Sequence, residues 1–393
     1  MSIYADNAAT TKPSEHVISE MVRVMRNAYG NPSSIHSIGG DALDELETSR
    51  KTIADILGCT PFEIVFTSGG SEADNQAIIS SAYTGAKAGK KHIVSTEFEH
   101  HAVLHTLDRM REQGFDVTLV PVNENGIVKP DDIENAIRDD TALVSVMYAN
   151  NEIGTIQPIG DIGKICREHG VLFHTDAVQA FGNIAVSLEN IDMLSLSAHK
   201  FHGPKGVGLL YVRRGTELLS LINGGGQEKG RRAGTENLPG IVGMAAAMKD
   251  AAENLEEKNR NLTAKRNYII SELKKIPHSI LNGDEGKRLP GNINMCFEGI
   301  DGEPLILMLD LRGIEASSGS ACTSGSLEPS HVLRAIGRNP EIARGSLRLS
   351  IGEDITEDDA RSIVKNVTET VEFLRNKSPL WQEKLSGNRD FFL

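Results

Sequence analysis

From residue 60 to residue 213 the chain alternates short apolar runs with amphipathic segments. Seven runs rich in β-branched residues predict strands: EIVFTS, KHIVST, DVTLVPV, ALVSVMYA, VLFHTDA, MLSLSAH and GVGLLYVRR. Several are apolar almost throughout, as expected for strands that are covered on both faces. Helical segments lie between many of them, for example SEADNQAIISSAYTGAK and DIGKICREHG. Repeated strand–helix units predict a mainly parallel sheet with helices on both sides, and the short Gly/Pro loop before the last run favours an antiparallel hairpin.

The remainder of the chain predicts a smaller α+β unit. Residues from about 236 to 275 have the pattern of one long helix, which is followed by the strands NINMCFEG, IEASSGSA and GSLRLSIG and a helix near DDARSIVKNVTETVEFLRN. We therefore predict an α/β protein with a large domain over residues 15–260 on a seven-stranded sheet. Residues 1–14 and 261–393 would form a small α+β domain. In such sheets ligands bind beyond the carboxyl ends of the strands, so polar residues there are the candidates for chemistry.

Composition and charge narrow the class of protein. The net charge is −13 over 393 residues, and the one basic cluster, at positions 229, 231 and 232, is short, so nucleic acid is not expected as a partner. That cluster suits a solvated loop or a site for a small anion. No apolar run approaches the ~18 residues of a membrane span, and the N-terminus lacks the pattern of a signal peptide. A cytoplasmic location is therefore the expectation.

The four cysteines lie far apart and include no CxxC pair, which argues against a disulfide framework and against a zinc site. Cys59, Cys166 and Cys296 lie in helix-like or strand-like surroundings that predict buried apolar roles. Cys322 lies in SSGSACTSGSLEPS, whose small and polar residues are typical of an exposed loop. An exposed thiol is a chemical liability, so its presence there favours a functional role.

Two strand ends carry a phosphate-binding pattern and a carboxylate. EIVFTS runs into Gly69, Gly70 and Ser71 and then a helix, which offers backbone N–H groups to a phosphate but is also typical of a plain tight turn. VLFHTDAVQA ends a strand with Asp176, and Gln179 follows three residues later. The carboxylate suits a protonated pyridine nitrogen, which it would keep charged, or the cap of the next helical turn.

Two further strand ends carry a lysine and histidines. MLSLSAHKFHGPKG contains Ser197 and His199 as possible phosphate donors, and Lys200 as a possible Schiff-base amine. His199 and His202 lack a nearby carboxylate or cysteine that would complete a ligand set, so no metal is expected. STEFEHHAV places His100 just past a strand, where it suits either a structural role or ring stacking and proton transfer.

Nine motifs of the chain together resemble a known family: YADNAATT, GNPSSIH, FTSGGSEADN, EHHAV, NNEIG, HTDAVQ, SAHKFHGPKG, RAGTEN and SSGSACTSG. In this order they resemble the cysteine desulfurases of the NifS/IscS type. These belong to the class V aminotransferase branch of the fold-type I transferases, which depend on pyridoxal 5′-phosphate (PLP). The resemblance extends from about Tyr4 to Trp381. SSGSACTSG resembles the NifS/IscS group rather than the SufS-like group with its shorter RSGHHC-type segment.

The resemblance implies a role for each matching residue. Lys200 would be the Schiff-base lysine, Cys322 the nucleophile that becomes a persulfide, and His100 a ring-stacking group that assists proton transfers. Asn151 and Arg348 would hold the substrate, with Arg348 on its carboxylate; taken alone, Arg348 also suits a surface salt bridge. The cofactor contacts implied are Gly70, Ser71, Asn151, Asp176, Gln179, Ser197, His199, Lys200 and, from the neighbouring subunit of a homodimer, Thr235.

The implied reaction takes sulfur from L-cysteine and gives L-alanine and a Cys322 persulfide. The sulfur would pass to an iron–sulfur scaffold protein or another acceptor. Two other functions stay open: another class V PLP enzyme, such as a selenocysteine lyase or small-amino-acid aminotransferase, and a platform for sulfur-transfer proteins with a lapsed cofactor site. Cys322 argues against the aminotransferase, and the intact set of Lys200, Asp176, His100 and Cys322 argues against a lapsed site. The tail SGNRDFFL suits a docking element or, as is commoner, a frayed end.

Overall fold

Most of the chain is organised around one large sheet and one small one. The structure is a computed structural model that describes residues 2–253, 255–318 and 329–393. The strands in these residues are β1 (Ile3–Tyr4), β2 (Ile64–Thr67), β3 (His92–Thr96), β4 (Asp116–Val120), β5 (Thr141–Ser145), β6 (Leu172–Asp176), β7 (Met193–Ser197), β8 (Gly208–Val212), β9 (Ser279–Leu281), β10 (Asn292–Phe297), β11 (Ile314–Glu315) and β12 (Ser346–Ser350). The α-helices are α1 (Glu15–Asn27), α2 (Ser37–Leu57), α3 (Gly70–Lys87), α4 (His101–Glu112), α5 (Pro130–Ala136), α6 (Ile159–Glu168), α7 (Leu238–Ala252), α8 (Leu255–Leu273), α9 (Gly302–Asp310), α10 (His331–Ala335), α11 (Pro340–Arg344), α12 (Glu357–Lys377) and α13 (Pro379–Leu385).

The large sheet has seven strands in the order β2-β8-β7-β6-β5-β3-β4. Strand β8 is antiparallel to β2 and to β7, and the other neighbouring pairs are parallel. All seven predicted strands of this sheet are present, and the last two form the predicted hairpin. The prediction of an α/β fold on a mainly parallel seven-stranded sheet is therefore confirmed.

Both faces of the large sheet are covered by helices, which explains why several of its strands are apolar almost throughout. Along β2, Ile64 and Phe66 belong to a core that also contains residues of α1, α2 and α7. Val65, between them, points to the opposite core, which contains residues of α3 and α4. Successive side chains of a strand face opposite sides, so two buried faces favour a nearly continuous apolar run.

The smaller unit contains the antiparallel sheet β12-β10-β9 and its own apolar core. Strand β1 pairs in parallel with β11, so the N-terminal segment contacts this unit. Within the described residues the predicted strand IEASSGSA is limited to β11, and β9 was not predicted. We propose the domain division given above, 15–260 against 1–14 and 261–393, because this core is separate; the boundary at residue 260 lies inside α8.

The prediction of one long helix over residues 236–275 is wrong. The chain forms α7 and α8 instead, and Glu253 after α7 has extended backbone angles of φ −69° and ψ 128°. Buried residues of α7, such as Met244 and Met248, pack in a core of the large sheet, whereas Ile269 and Leu273 of α8 pack in the core of the small unit. A single straight helix cannot direct its two halves into separate cores, so the chain turns between them.

The side chains of the basic cluster at positions 229, 231 and 232 contact other residues of the same chain. Lys229 and Arg231 lie over the ring of Phe62, at 5.1 and 4.7 Å from its centre, and Arg232 forms an ion pair with Glu72 at 3.0 Å. In the part of the chain that the structure describes, no helix is both long enough and apolar enough to cross a lipid bilayer.

Candidate active site

A cavity of about 450 Å³ lies beyond the carboxyl ends of β5, β6 and β7, at the edge where the sheet is expected to bind ligands. Ten of the twelve predicted site residues line it: Gly70, Ser71, His100, Asn151, Asp176, Gln179, Ser197, His199, Lys200 and Arg348. Thr235 does not line this cavity, and Cys322 lies outside the described residues. Residues from distant parts of the sequence thus meet as the resemblance implied.

The start of α3 forms one end of the cavity and is suited to bind an anion. The first N–H groups of a helix have no partner within it, and the helix dipole adds positive potential there. Gly70 permits a close approach, because a Cβ at this position would lie 2.6 Å from Cγ2 of Val178. Ser71 and Ser197 add hydroxyl groups to the same part of the wall. A phosphate matches this set of donors.

Asp176 ends β6 on the floor of the cavity and is 6% exposed. Its Oδ1 accepts a hydrogen bond from the N–H of Val178 at 2.9 Å, so it also caps the following turn. Burial raises the pKa of Asp176 to about 6, against the opposing effects of the Val178 N–H and of Lys200. The carboxyl is therefore ionised at neutral pH, and a protonated ring nitrogen in the cavity would be a suitable partner.

Lys200 lies on the short turn Ala198–Lys200 that follows β7. Its Nζ donates hydrogen bonds to the carbonyls of Ala8 and Ala9, at 2.6 and 2.8 Å. The N-terminal segment thus closes this side of the cavity and holds the amine in place. Next to Lys200, His199 has a hydrogen bond of 3.1 Å between Nδ1 and Oγ1 of Thr10. Burial, together with Lys200 and Lys205, lowers the pKa of His199 to about 4.

His100 precedes α4 and is a neutral hydrogen-bond donor. Its Nδ1 accepts the N–H of Ala102 at 3.1 Å, which places the ring hydrogen on Nε2. Burial lowers the pKa of His100 to about 4, and the positive charge of Lys200 acts in the same direction. At neutral pH the imidazole therefore offers an N–H from Nε2 and an uncharged ring face to the cavity.

Arg348 on β12 forms the opposite end of the cavity and is 2% exposed, so the interpretation as a surface salt bridge is wrong. Its Nη2 donates to Oδ1 of Asp6 at 2.9 Å, and its Nη1 donates to the carbonyl of Asn151 at 3.2 Å. Within the described residues the buried Nε has no hydrogen-bond partner. A buried guanidinium with an unused donor is suited to bind a carboxylate.

Several residues of the cavity wall were not predicted, notably Asp74, His101, Glu152 and His331. Two of them lie inside motifs that carried the resemblance: Asp74 in FTSGGSEADN and Glu152 in NNEIG. Asp74 follows Gly70 by four residues on α3, so the helical period was the signal that could have found it. His101 and His331 are in ring contact, with centroids 4.6 Å apart. No group of His, Cys, Asp or Glu in residues 2–253, 255–318 and 329–393 has the arrangement of a metal site.

Thr235 lies in the exposed segment before α7. It lines a small separate cavity together with Thr67, Ser68 and Asn237. In the single chain it does not meet Lys200 or Asp176 at the main cavity. The resemblance implies that it acts on the cofactor of a neighbouring subunit, and that role stays a prediction.

Comparisons with known proteins agree with this geometry. A family model described as aminotransferase class-V matches residues 3–363. The cysteine desulfurase IscS of Methanosarcina thermophila is 51% identical over 381 residues, which cover 96% of this chain and 94% of that protein. A solved structure of a NifS-like protein is 40% identical, with a TM-score of 0.90 and coverage of 95% of this chain and 100% of that one. A structure of SspA in complex with cysteine is 38% identical, with a TM-score of 0.78 and coverage of 89% and 99%.

The similarity to the NifS-like structure extends over almost the whole chain, which confirms the fold-type I architecture. The family model covers both the strand ends that form the cavity and β12 with Arg348. The chain therefore belongs to the aminotransferase class-V family and, within it, to the cysteine desulfurases of the NifS/IscS type.

Proposed function

We propose that this chain uses PLP to take sulfur from L-cysteine and deliver it to Cys322. The observation that carries this proposal is the meeting of Lys200, Asp176 and Arg348 at one cavity of about 450 Å³. An amine, a buried carboxylate and a guanidinium suit, in turn, an aldehyde, a protonated ring nitrogen and the carboxylate of an amino acid. The family of the chain supports the same function.

The residues of the cavity fit PLP in charge and in donor type. The first N–H groups of α3, with Ser71, Ser197 and His199, would hold its phosphate, and Lys200 would hold its aldehyde carbon. The ionised Asp176 would hold the proton of its ring nitrogen. Gln179, whose Nε2 donates to the carbonyl of Ala8 at 2.8 Å, would lie near its phenolic oxygen. When bound, PLP would supply an electron sink for negative charge that develops on the substrate.

Arg348 and Asn151 would position L-cysteine. A substrate carboxylate would supply the acceptor that Nε of Arg348 lacks among the described residues. Asp6 and the carbonyl of Asn151 hold the other two nitrogens of the guanidinium, which restricts its orientation. A side chain held in this way loses little entropy on binding, so the orientation favours a single pose of the amino acid.

Lys200 and His100 would handle the protons of the reaction. The carbonyls of Ala8 and Ala9 hold the amine of Lys200 at the cavity, where the neutral amine would accept a proton from Cα of the substrate. His100 carries its hydrogen on Nε2 and is neutral, so it would donate from that atom. The two residues thus cover a base and a donor within one cavity.

Cys322 would receive the sulfur, because the other three thiols are unsuited to act as nucleophiles. Cys166 and Cys296 are buried as predicted, whereas Cys59 is half-buried. Burial raises the pKa of Cys59 and Cys166 to about 12 and that of Cys296 to about 11. In the proposed step an S–S bond forms at Cys322, the C–S bond of L-cysteine breaks, and the carbon gains a proton to give L-alanine.

We also propose a homodimer in the cytoplasm, in which Thr235 contacts the cofactor bound by its partner. Thr235 is exposed, and α1 presents an apolar stripe formed by Ile18, Val22 and Met25, each between 37% and 54% exposed. Exposed apolar side chains in one row are typical of a surface that another chain covers. The persulfide sulfur would pass from the dimer to an iron–sulfur scaffold protein or another acceptor.

The test measures alanine and sulfide from purified protein incubated with PLP, L-cysteine and a reductant. We expect equal amounts of alanine and sulfide from the wild type and almost none from Cys322→Ala. Cys59→Ala is the matched control and should behave as the wild type, because its thiol is half-buried and has a raised pKa. Alanine production by Cys322→Ala at the wild-type level would overturn the role of Cys322.

The absorbance of bound PLP tests the cofactor in the same samples. The wild type should retain PLP through gel filtration in a linkage that borohydride makes permanent, and Lys200→Ala should not form that linkage. A wild-type protein that binds no PLP would overturn the proposed function and would leave the lapsed-site platform as the better interpretation. Transfer of the amino group to a keto acid, without sulfide, would instead point to an aminotransferase.

A further inference from the structure

Asp74 is a carboxyl group of the cavity to which the proposed function gives no role. It lies on α3, one turn after Gly70, and its side chain is 1% exposed. Its Oδ1 accepts no hydrogen bond from any described residue. A buried carboxylate oxygen without a donor is unfavourable, so the position of Asp74 requires an explanation.

A row of uncharged polar groups lies next to Asp74 at the cavity wall. His174, two residues before Asp176 on β6, has its Nδ1 2.9 Å from Oγ of Ser145 and its Nε2 3.0 Å from Oγ of Ser195. The same Nε2 lies 3.6 Å from Oδ1 of Asp74. Ser145, His174 and Ser195 lie on the neighbouring strands β5, β6 and β7, and all three are fully buried. The row thus runs across the sheet and ends at Asp74.

No cation among the described residues neutralises Asp74. Its one potential ion-pair partner there is His174, and burial lowers the pKa of that imidazole to about 3, so it is uncharged. Two other carboxyls act on Asp74, those of Asp176 and Glu99. Burial, then the charge of Asp176, holds the pKa of Asp74 well above its ordinary value, while the hydroxyl of Ser195 acts in the opposite direction.

Asp176 is placed differently, although both carboxyls line the same cavity. Asp176 accepts the N–H of Val178 and is stabilised as an anion by Lys200, and neither group acts in this way on Asp74. Two carboxyls in one buried site do not ionise together, and the one with better donors takes the charge. The arrangement therefore assigns the charge to Asp176 and the proton to Asp74.

We propose that Asp74 is a neutral positioning residue behind Asp176, which carries the single proton of this carboxyl pair and leaves Asp176 as the only anion facing the ring nitrogen of the cofactor. The part that concerns the ring nitrogen rests on the proposed function. If Asp74 carried the charge instead, the proton would lie on Asp176, and a neutral Asp176 would hold a cationic ring less strongly. The row through His174 packs next to Asp74 and supplies no charge to it.

Infrared difference spectroscopy tests the proton on Asp74 without any cofactor. The spectrum of wild-type protein minus that of Asp74→Asn, at neutral pH, should contain the C=O band of one protonated carboxyl that shifts in heavy water. Other protonated carboxyls, such as that of Glu99, cancel in the difference. A carboxylate band in place of that C=O band would overturn the proposal. This result is readable even if the protein binds no PLP, so it is independent of the proposed function.

PLP affinity, measured by absorbance or fluorescence titration, tests the positioning role. We expect Asp74→Ala to weaken PLP binding by about tenfold or more, and Asp74→Asn, which keeps a neutral polar group, to restore it to within about threefold of the wild type. Circular dichroism and the unfolding midpoint identify any variant that fails to fold. If Asp74→Ala binds PLP as tightly as the wild type, Asp74 has no positioning role. If Asp74→Asn binds PLP as weakly as Asp74→Ala does, the proposal that the Asp74 carboxyl is neutral is wrong.

Discussion

Glu152 and Ser330 are joined by a hydrogen bond of 2.5 Å from the Ser330 hydroxyl to Oε2 of the carboxyl group. The same hydroxyl accepts the N–H groups of Val332 and Leu333, at 3.1 and 3.3 Å, and so caps α10. Its one hydrogen and two lone pairs are therefore all used. Because Glu152 lines the main cavity, the contact fixes the start of α10 to the cavity wall.

The charge of Glu152 should make stability depend on pH. Burial raises the pKa of Glu152 from 4.5 to about 7, against the opposing effects of Ser330 and Arg348. The unfolded chain therefore releases this proton before the folded chain does, and the group contributes stability below about pH 4.5 that is lost as the pH rises through about 7. In Glu152→Gln the amide oxygen still accepts the hydrogen bond from Ser330. The amide does not ionise, so this variant does not lose stability as the pH rises. Its free energy of unfolding, measured by denaturant, should rise relative to the wild type between about pH 5 and about pH 8.

The matched control for this prediction is Glu97→Gln, a change at an exposed position. Its difference from the wild type should stay constant over the same range of pH. If the difference between Glu152→Gln and the wild type is also constant, the carboxyl does not titrate in this range.

Replacement of Arg348 by lysine should raise the KM for L-cysteine more than it lowers kcat. Lysine keeps the positive charge but loses the planar fork that also contacts Asp6 and the carbonyl of Asn151. We expect KM to rise by about tenfold or more. The guanidinium would bind the substrate carboxylate equally in the ground state and the transition state, and losing such an interaction raises KM rather than lowering kcat. Steady-state alanine production measures both constants. Arg312→Lys, at an exposed arginine paired with Glu369, is the control, and a similar small effect in both variants would contradict the carboxylate role.

The site residues at strand ends could be predicted because the apolar run of each strand stops there and a polar residue follows. Asp176 and Lys200 each follow an apolar strand, and a polar residue at that point of a parallel sheet must face the ligand edge. Contacts between distant positions could not be predicted in this way. Asp6 and Arg348 are 342 residues apart and meet because β1 and β12 lie near each other, which no local pattern specifies.

Buried polar groups on helices were missed for a related reason. A polar residue such as Asp74 on a helix is expected to face water, so its burial beside His174 is visible only when α3 is placed on the sheet. The break at Glu253 was missed because both flanking segments favour helix, and the separate cores that they enter are set by tertiary packing.

The ion pair between Arg50 and Glu228 should be important for stability. Arg50 Nη2 lies 2.5 Å from Glu228 Oε1, and their side chains are 4% and 2% exposed. Glu228→Gln removes the buried counter-charge and leaves the guanidinium only the more exposed Glu47, 3.4 Å from its Nε, among the described residues. We expect a loss of about 3–5 kcal/mol in the free energy of unfolding. The exposed pair of Arg138 and Asp116, also 2.5 Å apart, is the comparison, since solvent screens this pair and Asp116→Asn should cost much less. Equal losses in the two denaturant titrations would contradict the effect of burial.

The C-terminal segment is docked on its own chain, so the expectation of a frayed end is wrong. The ring of Phe391 stacks on His278 with centroids 4.0 Å apart. The N–H groups of Phe392 and Leu393 donate to the buried carboxylate of Glu298, at 2.8 and 3.0 Å. Lys384 pairs with the same carboxylate at 2.7 Å. Glu298 thus joins α13 and the segment after it to the end of β10.

Deletion of residues 391–393 should lower stability and change the environment of Trp381, the single tryptophan of the chain. The deletion removes two donors from Glu298 and the aromatic contact between Phe391 and Trp381, whose centroids are 5.3 Å apart. We expect a loss of about 1–3 kcal/mol in the free energy of unfolding, as for buried acceptors that lose their donors. The emission of Trp381 should shift to longer wavelength in the folded protein. Leu311→Ala, at a side chain 86% exposed, should change neither quantity, and a deletion variant that matches this control would show that the segment contributes no contacts in solution.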